Sequence, residues 1–197
     1  QGAILSSVVP SITNTFKRAI QKYLKVSIKV VEPGMKTGLS IVINNPAQLG
    51  SDLVVDSVAG IHEYPLPLII IDMGTATTLS VINQKKQYLG GIVMPGVGIS
   101  HDSLIARTAQ LPKIALEPPK QVIGKNTVDC MKSGLLIGTA CSLDGLIDRI
   151  QTELGESCTV VATGGLATVI VPLCKHSIIL DDDLLLKGLM ILYYLNP

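Results

Sequence analysis

The pattern of hydrophobic and polar positions predicts an α/β protein whose most deeply buried strand is Leu68–Ile71. This run is short, continuous and apolar, which is typical of a strand that is covered on both faces. Asp72 and Gly74 follow it, and two more apolar runs, Leu79–Ile82 and Tyr88–Val93, are separated by a polar turn. The pattern therefore predicts a strand, a tight glycine turn, a second strand, a hairpin and a third strand.

Helices are predicted where apolar residues recur every three to four positions. They are expected after Ser11, from Asn45 to about Tyr64, from His101 to about Gln110, from Thr127 to about Leu154 and over Leu184–Tyr194. Asn45 and Pro46 suit the N-cap and the first helical position, which would place Asp52 in the first turns of the second helix. Pro65 and Pro67 then break the chain, and we expect a domain boundary between residues 66 and 67.

Composition excludes several classes of protein. Of 197 residues, 47% are hydrophobic, and the net charge of +1 comes from scattered basic residues, which argues against a nucleic-acid partner. The longest apolar tracts, Leu66–Ile71 and Leu184–Leu195, fall short of the roughly 20 residues that a membrane-spanning helix needs. The four widely spaced cysteines form no Cys-x-x-Cys motif, so we expect buried, reduced thiols in a cytoplasmic protein rather than a zinc site.

Two glycine turns that follow buried strands are the strongest candidates for chemistry. Backbone N–H groups at such turns suit phosphate, and they occur at Gly74 and at Gly164-Gly165. Asp72 at a strand end suits a cation beside a phosphate, although an Asx-turn that caps the strand is the structural alternative. Gly124-Lys125-Asn126 does not complete a P-loop, because Asn126 stands where that motif requires Ser or Thr.

Several short motifs, in order along nearly the whole chain, resemble those of type III pantothenate kinases. They are Ser6–Pro10, Asn45-Pro46 with Gly50–Asp52, Asp72–Thr78, Gly90-Gly91, Met94–Gly96, Gly124–Thr127, Ser133-Gly134 and Ala162–Gly165. The resemblance implies a duplicated ribonuclease-H-like fold of the actin-like ATPase and kinase type, with the first half incomplete in this chain. Residues 1–66 would be the C-terminal part of the first half, with the substrate helix. Residues 67–197 would be the second half, with the nucleotide and cation motifs.

The resemblance also implies a reaction and a site. The reaction is ATP-dependent phosphorylation of the primary hydroxyl of pantothenate to 4'-phosphopantothenate, the first step of coenzyme A biosynthesis, in a cytoplasmic homodimer. Asp52 would be the general base, and Asp72 would bind a monovalent cation, potassium or ammonium, while Mg²⁺ accompanies ATP. Substrate-binding residues would be Gly50, Ser51, Asp52, Leu53 and Thr127; nucleotide-binding residues would be Gly74, Thr75, Gly164 and Gly165.

Three departures from the family pattern leave alternatives open. The family's first phosphate motif, Asp-x-Gly-Asn-Thr, is absent, so we expect the native protein to extend upstream of Gln1. The family's Arg after the catalytic Asp is Leu53 here, and its Tyr before Asn-Pro falls at Ile43. These two favour either a relative with a regulatory role or a kinase of the same superfold with another small-molecule substrate.

Overall fold

The computed structural model describes residues 2–197, which form two compact units. The first unit comprises residues 2–66, 82–90 and 183–197, and the second comprises residues 67–81 and 91–182. The strands are β1 Gly2–Leu5, β2 Ser27–Val30, β3 Ser40–Ile41, β4 Leu68–Met73, β5 Ala76–Ile82, β6 Gln87–Pro95, β7 Thr159–Thr163 and β8 Ile179–Leu180. The α-helices are α1 Pro10–Leu24, α2 Ser51–Glu63, α3 Val97–Arg107, α4 Thr127–Lys132, α5 Gly138–Leu154, α6 Ala167–Ile170 and α7 Leu184–Leu195.

The first unit is built on the packing of α2 against α7. A Cβ atom at Gly188 would overlap the backbone carbonyl of Val55, so glycine lets the two helix backbones approach closely. Val55 and Leu192 belong to one buried apolar cluster. In the same unit β1 pairs in parallel with β2, and β3 pairs in parallel with the beginning of β6. This packing fixes α2, the helix that carries Asp52.

The second unit is built on a sheet whose strand order is β6-β5-β4-β7-β8. The short connections from β4 to β5 and from β5 to β6 require antiparallel neighbours, because parallel strands need a long crossover. β7 pairs in parallel with β4, and β8 in parallel with β7. Three consecutive antiparallel strands followed by two parallel ones are the topology of a ribonuclease-H-like half.

The predicted central strand is confirmed. β4 has β5 on one side and β7 on the other, and its residues Leu68–Ile71 are at most 2% exposed. A strand in this position has no polar face, which explains the uninterrupted apolar run. The strand also extends two residues further than predicted and includes Asp72.

The long helix predicted from Thr127 is also present. It runs from Thr127 to Leu154 and contains a π-helical segment, Ser133–Ile137, between α4 and α5. By length and composition this helix could cross a membrane, since an 18-residue window has a mean hydropathy of 1.2, with 39% of that window buried inside the protein. Core helices of soluble proteins meet the same criterion, so this is weak evidence, and the absence of a membrane partner stays a prediction.

Two helix starts lie four or more residues from their predicted positions. Asn45 and Pro46 begin a short 3₁₀-helix, Pro46–Gln48; Leu49 then adopts an extended conformation, and α2 begins only at Ser51. Gly50 occupies the N-cap position, where glycine is well tolerated. The helix expected from His101 begins at Val97, because Gly96 is its N-cap.

The prediction of buried cysteines was wrong as well. Cys130 and Cys141 are exposed, while Cys158 and Cys174 are half-buried. All four are free thiols. Partial burial raises the pKa of Cys158, with a smaller contribution from Glu156. Burial, followed by the nearby Asp144 and Cys141, raises the pKa of Cys174 to about 11.

Candidate functional site

The structure brings Asp72 and the two predicted glycine turns together. In the parallel pairing of β4 with β7, Asp72 is the partner of Thr163, so the two strands end side by side. Gly74 follows the end of β4, and Gly164 directly follows β7. The carboxyl edge of a parallel strand pair is where α/β proteins place their ligands.

Gly164 approaches Asp72 at a distance that only glycine permits. Its φ is +94°, and a Cβ atom there would lie 2.6 Å from the backbone nitrogen of Met73 and 2.7 Å from Asp72 Oδ1. The same carboxylate oxygen lies 3.8 Å from the Cβ position of Gly74. Gly165 is exposed, and within residues 2–197 no heavy atom lies within 4 Å of its Cβ position. The Asp72 carboxylate therefore lies between two backbone turns, one of which is open on its outer side.

A third glycine supports the first turn, and its role was not foreseen from the sequence. Gly96 donates its backbone N–H to the carbonyl of Thr75 at 3.2 Å. A Cβ atom at Gly96 would overlap that carbonyl and would lie 2.6 Å from the carbonyl of Gly74. Thr75 itself is exposed. The sequence signal was the Pro95-Gly96 pair, which marks a turn but not the partner against which it packs.

Asp52 lies in the first turn of α2, in the first unit. Its Oδ1 accepts a hydrogen bond from the backbone N–H of Leu53 at 2.9 Å. A Cβ atom at Gly50 would overlap the same oxygen, so glycine is needed there for this side-chain orientation. The hydroxyls of Ser51 and Ser6 are 2.9 Å apart, which joins the start of α2 to the segment after β1. The start of α2 is thus held by hydrogen bonds and places four predicted site residues next to one another: Gly50, Ser51, Asp52 and Leu53.

Thr127 is the first residue of α4, in the second unit, and is exposed. Asn126 caps this helix: its side-chain oxygen accepts from the backbone N–H of Asp129 at 2.9 Å. Its side-chain nitrogen donates to Asp129 Oδ2 at 2.7 Å. Two hydrogen bonds between the same two residues fix the backbone immediately before Thr127.

Other polar groups of the second unit have structural partners. His101 is buried, and its Nε2 accepts from the backbone N–H of Ile114 at 3.2 Å, which is a structural role. Asp144 accepts backbone hydrogen bonds from Lys175 and His176 at 2.9–3.0 Å. Among the described residues, no group of three or more His, Cys, Asp or Glu side chains is arranged to hold a metal ion.

Solved structures agree with the class that this topology defines. A conserved Baf family protein from Campylobacter jejuni aligns with a TM-score of 0.66 at 19% identity, covering 98% of this chain and 82% of that one. The ethanolamine utilization protein EutJ from Carboxydothermus hydrogenoformans aligns with a TM-score of 0.50 at 16% identity, covering 91% of this chain and 71% of that one. Together with the strand order, these likenesses confirm the ribonuclease-H-like fold of actin-like ATPases and kinases.

Sequence comparison identifies the family within that class. A family model described as type III pantothenate kinase matches residues 1–149. A type III pantothenate kinase from Bacillus cytotoxicus is 45% identical over 196 residues, which cover 100% of this chain and 75% of that protein. The chain therefore belongs to the type III pantothenate kinase family.

Proposed function

We propose that this protein is a kinase that transfers the γ-phosphoryl group of ATP to the primary hydroxyl of pantothenate, in the first step of coenzyme A biosynthesis. The family membership supports the reaction. The observation that supports a nucleotide-binding site is the placement of Asp72 between the Gly74 and Gly164 turns. The two turns offer backbone N–H groups to phosphate oxygens, and the Asp72 carboxylate beside them can hold a cation.

Asp52 is the proposed general base. Phosphoryl transfer needs alignment and charge neutralisation, together with a group that accepts the proton of the attacking hydroxyl. In the proposed reaction the pantothenate oxygen bonds to the γ-phosphorus, the bond from that phosphorus to the bridging oxygen breaks, and ADP leaves. The hydroxyl proton goes to Asp52, whose position is fixed by the Leu53 N–H and by the space left at Gly50.

The proposed nucleotide site uses Gly74, Thr75, Gly164 and Gly165. Backbone N–H groups at both turns would hold phosphate oxygens, and the Thr75 hydroxyl is exposed and available for a further contact. Asp72 is the proposed ligand of a monovalent cation, potassium or ammonium, and Mg²⁺ accompanies ATP. These cations neutralise phosphate charge when bound. The residues of this chain supply the turns and the carboxylate.

The proposed substrate site uses Gly50, Ser51, Asp52, Leu53 and Thr127. Leu53 is half-buried at the start of α2, and it cannot pair with the pantothenate carboxylate as an Arg would. This one observation favours a second candidate: a family member that phosphorylates another small molecule or has a regulatory role. The Leu53→Arg variant described below distinguishes the candidates.

We also propose that the protein acts as a cytoplasmic homodimer. Gly134 and Gly138 lie on exposed positions of the long helix, and no heavy atom of residues 2–197 lies within 4 Å of either Cβ position. These two glycines therefore do not serve tight packing against another part of residues 2–197. An open face of this kind lets a helix from a second copy approach closely.

The test is pantothenate-dependent ADP release by the complete gene product, compared with Asp52→Asn and Glu63→Gln. Glu63 is exposed at the other end of the same helix, so it controls for loss of a carboxylate from α2. Loss of a general base should slow turnover about 10²–10⁴-fold in Asp52→Asn. Glu63→Gln should match the unmodified protein. Absence of pantothenate-dependent turnover in the unmodified protein would contradict the substrate, and full activity of Asp52→Asn would contradict the base.

A further inference from the structure

Ser133 uses its hydroxyl differently from other hydroxyl residues on the same long helix. Thr139, Ser142 and Thr152 each donate to the backbone carbonyl four residues earlier. This is the usual local hydrogen bond of Ser and Thr within helices. Ser133 Oγ instead donates to the carbonyl of Val122, eleven residues upstream, at 2.5 Å. Ser133 is 9% exposed whereas Val122 is exposed, so this hydrogen bond is partly buried.

The π-helical segment begins at Ser133. A π-helical turn widens the helix by one residue per turn and often occurs at functional sites. The backbone N–H of Ser133 lies within hydrogen-bonding distance of the carbonyls of both Asp129 and Cys130. The change of helical register and the unusual hydroxyl partner therefore occur at the same residue.

The acceptor lies on a loop that has little apolar burial of its own. Val122 is 65% exposed and Ile123 is 81% exposed, so the side chains at this end of the loop do not anchor it. Polar and backbone contacts to the helix anchor it instead. A Cβ atom at Gly124 would overlap the backbone nitrogen of Cys130, and Cys130 Sγ donates to the carbonyl of Gly124 at 3.4 Å.

The anchored loop ends at Thr127. The Asn126 cap holds the loop where it enters α4, and the Ser133 hydroxyl holds it at Val122, so the segment between them is fixed at both ends. We infer that Ser133 is a positioning residue for Thr127, because its hydroxyl sets the loop conformation that presents the Thr127 side chain to pantothenate. The inference rests on the proposed function, which gives Thr127 its contact with the substrate.

The kinetic test compares Ser133→Ala with Ser142→Ala in the complete gene product. Loss of the Val122 hydrogen bond should raise the KM for pantothenate roughly fivefold, the fold-change that corresponds to about 1 kcal/mol for one hydrogen bond. The kcat and the KM for ATP should stay within about twofold of the unmodified values, since neither depends on Thr127. Ser142→Ala removes an exposed hydroxyl from the same helix and should leave all three constants unchanged.

A double-mutant cycle with Thr127→Val separates positioning from general destabilisation. If Ser133 acts through Thr127, adding Ser133→Ala to Thr127→Val should raise the pantothenate KM further by less than about twofold. Amide hydrogen exchange supplies a readout that needs no turnover: residues 122–130 should exchange faster in Ser133→Ala and not in Ser142→Ala.

Three results would overturn the inference in an active enzyme. They are an unchanged pantothenate KM in Ser133→Ala, effects of the two substitutions that add fully, and unchanged exchange over residues 122–130. Failure of the proposed function has a different signature. The unmodified protein would then show no pantothenate-dependent turnover, while the exchange measurement would still report whether Ser133 anchors the loop.

Discussion

Substitution of Gly164 by alanine tests the close approach on which the proposed nucleotide site depends. Gly164 has a φ of +94°, and an added Cβ would lie 2.6 Å from the backbone nitrogen of Met73. The left-handed conformation costs a non-glycine residue about 1–2 kcal/mol. Overpacking against a backbone atom of the central strand, which cannot rotate away, costs about 1–3 kcal/mol more. The free energy of unfolding should therefore fall by roughly 2–5 kcal/mol.

For a chain of this length each kcal/mol corresponds to about 2–4 °C in melting temperature, so Gly164→Ala should lower the Tm by roughly 4–20 °C. Gly165→Ala is the matched control, since its Cβ would meet no heavy atom of residues 2–197 within 4 Å. Substitutions at such open positions usually change stability by less than about 0.5 kcal/mol. Calorimetric or circular-dichroism melting of both variants makes the comparison, and equal Tm values would refute the close approach of Gly164 to the end of β4.

A comparison of Gly164→Ala with the unmodified protein separates stability from binding. The added Cβ of Gly164→Ala would also lie 2.7 Å from Asp72 Oδ1, so it should displace the carboxylate and weaken ATP binding. Titration calorimetry with ATP measures this directly at a temperature well below the lower Tm. Unmodified ATP affinity in a destabilised Gly164→Ala variant would show that the turn supports the fold but not the nucleotide.

Three further predictions concern the substrate, the cation and assembly. Leu53→Arg should lower the KM for pantothenate about ten- to hundredfold, because a charge-assisted hydrogen bond to the substrate carboxylate contributes about 1.5–3 kcal/mol. Steady-state kinetics measures this change, and reduced activity of the variant on pantothenate would favour another substrate. Replacing potassium by a large organic cation should reduce turnover and ATP affinity if Asp72 holds the ion, and equal values in both salts would contradict that assignment. Sedimentation at micromolar concentration should show a dimer, whereas a monomer alone would contradict the proposed assembly.

The sequence predicts the second unit well because its signals are local. A continuous apolar run is typical of a strand that has a neighbouring strand on each side and is covered on both faces. Leu68–Ile71 forms such a strand. Gly74 and Gly164 were predicted as turns from the glycines that follow apolar runs. Their meeting at Asp72 follows from the parallel pairing of β4 with β7, which a ribonuclease-H-like topology implies.

The features that sequence reasoning missed depend on partners far along the chain or on competition between local signals. Asn45 and Pro46 do begin a helical turn, but it is a 3₁₀ turn that ends before Gly50, and the α-helix begins at Ser51. The roles of Gly96 and Ser133 depend on their hydrogen bonds, Gly96 with Thr75 and Ser133 with Val122. No periodicity in the sequence indicates these contacts. The sequence also gave no sign that α7 packs against α2.

The packing of α7 against α2 has a consequence for the order in which this protein folds on the ribosome. Lys29 donates to the backbone carbonyl of Tyr193, 164 residues further along the chain, and Gly188 packs against Val55 in the same unit. At about 5–20 residues per second, roughly 8–33 s separate the synthesis of Lys29 from that of Tyr193. The second unit ends at residue 182, so its synthesis is complete before that of α7. Until α7 is made, the face of α2 that packs against it stays uncovered. A slow codon run or a chaperone that acts late in translation would therefore affect the proposed base more than the proposed nucleotide turns.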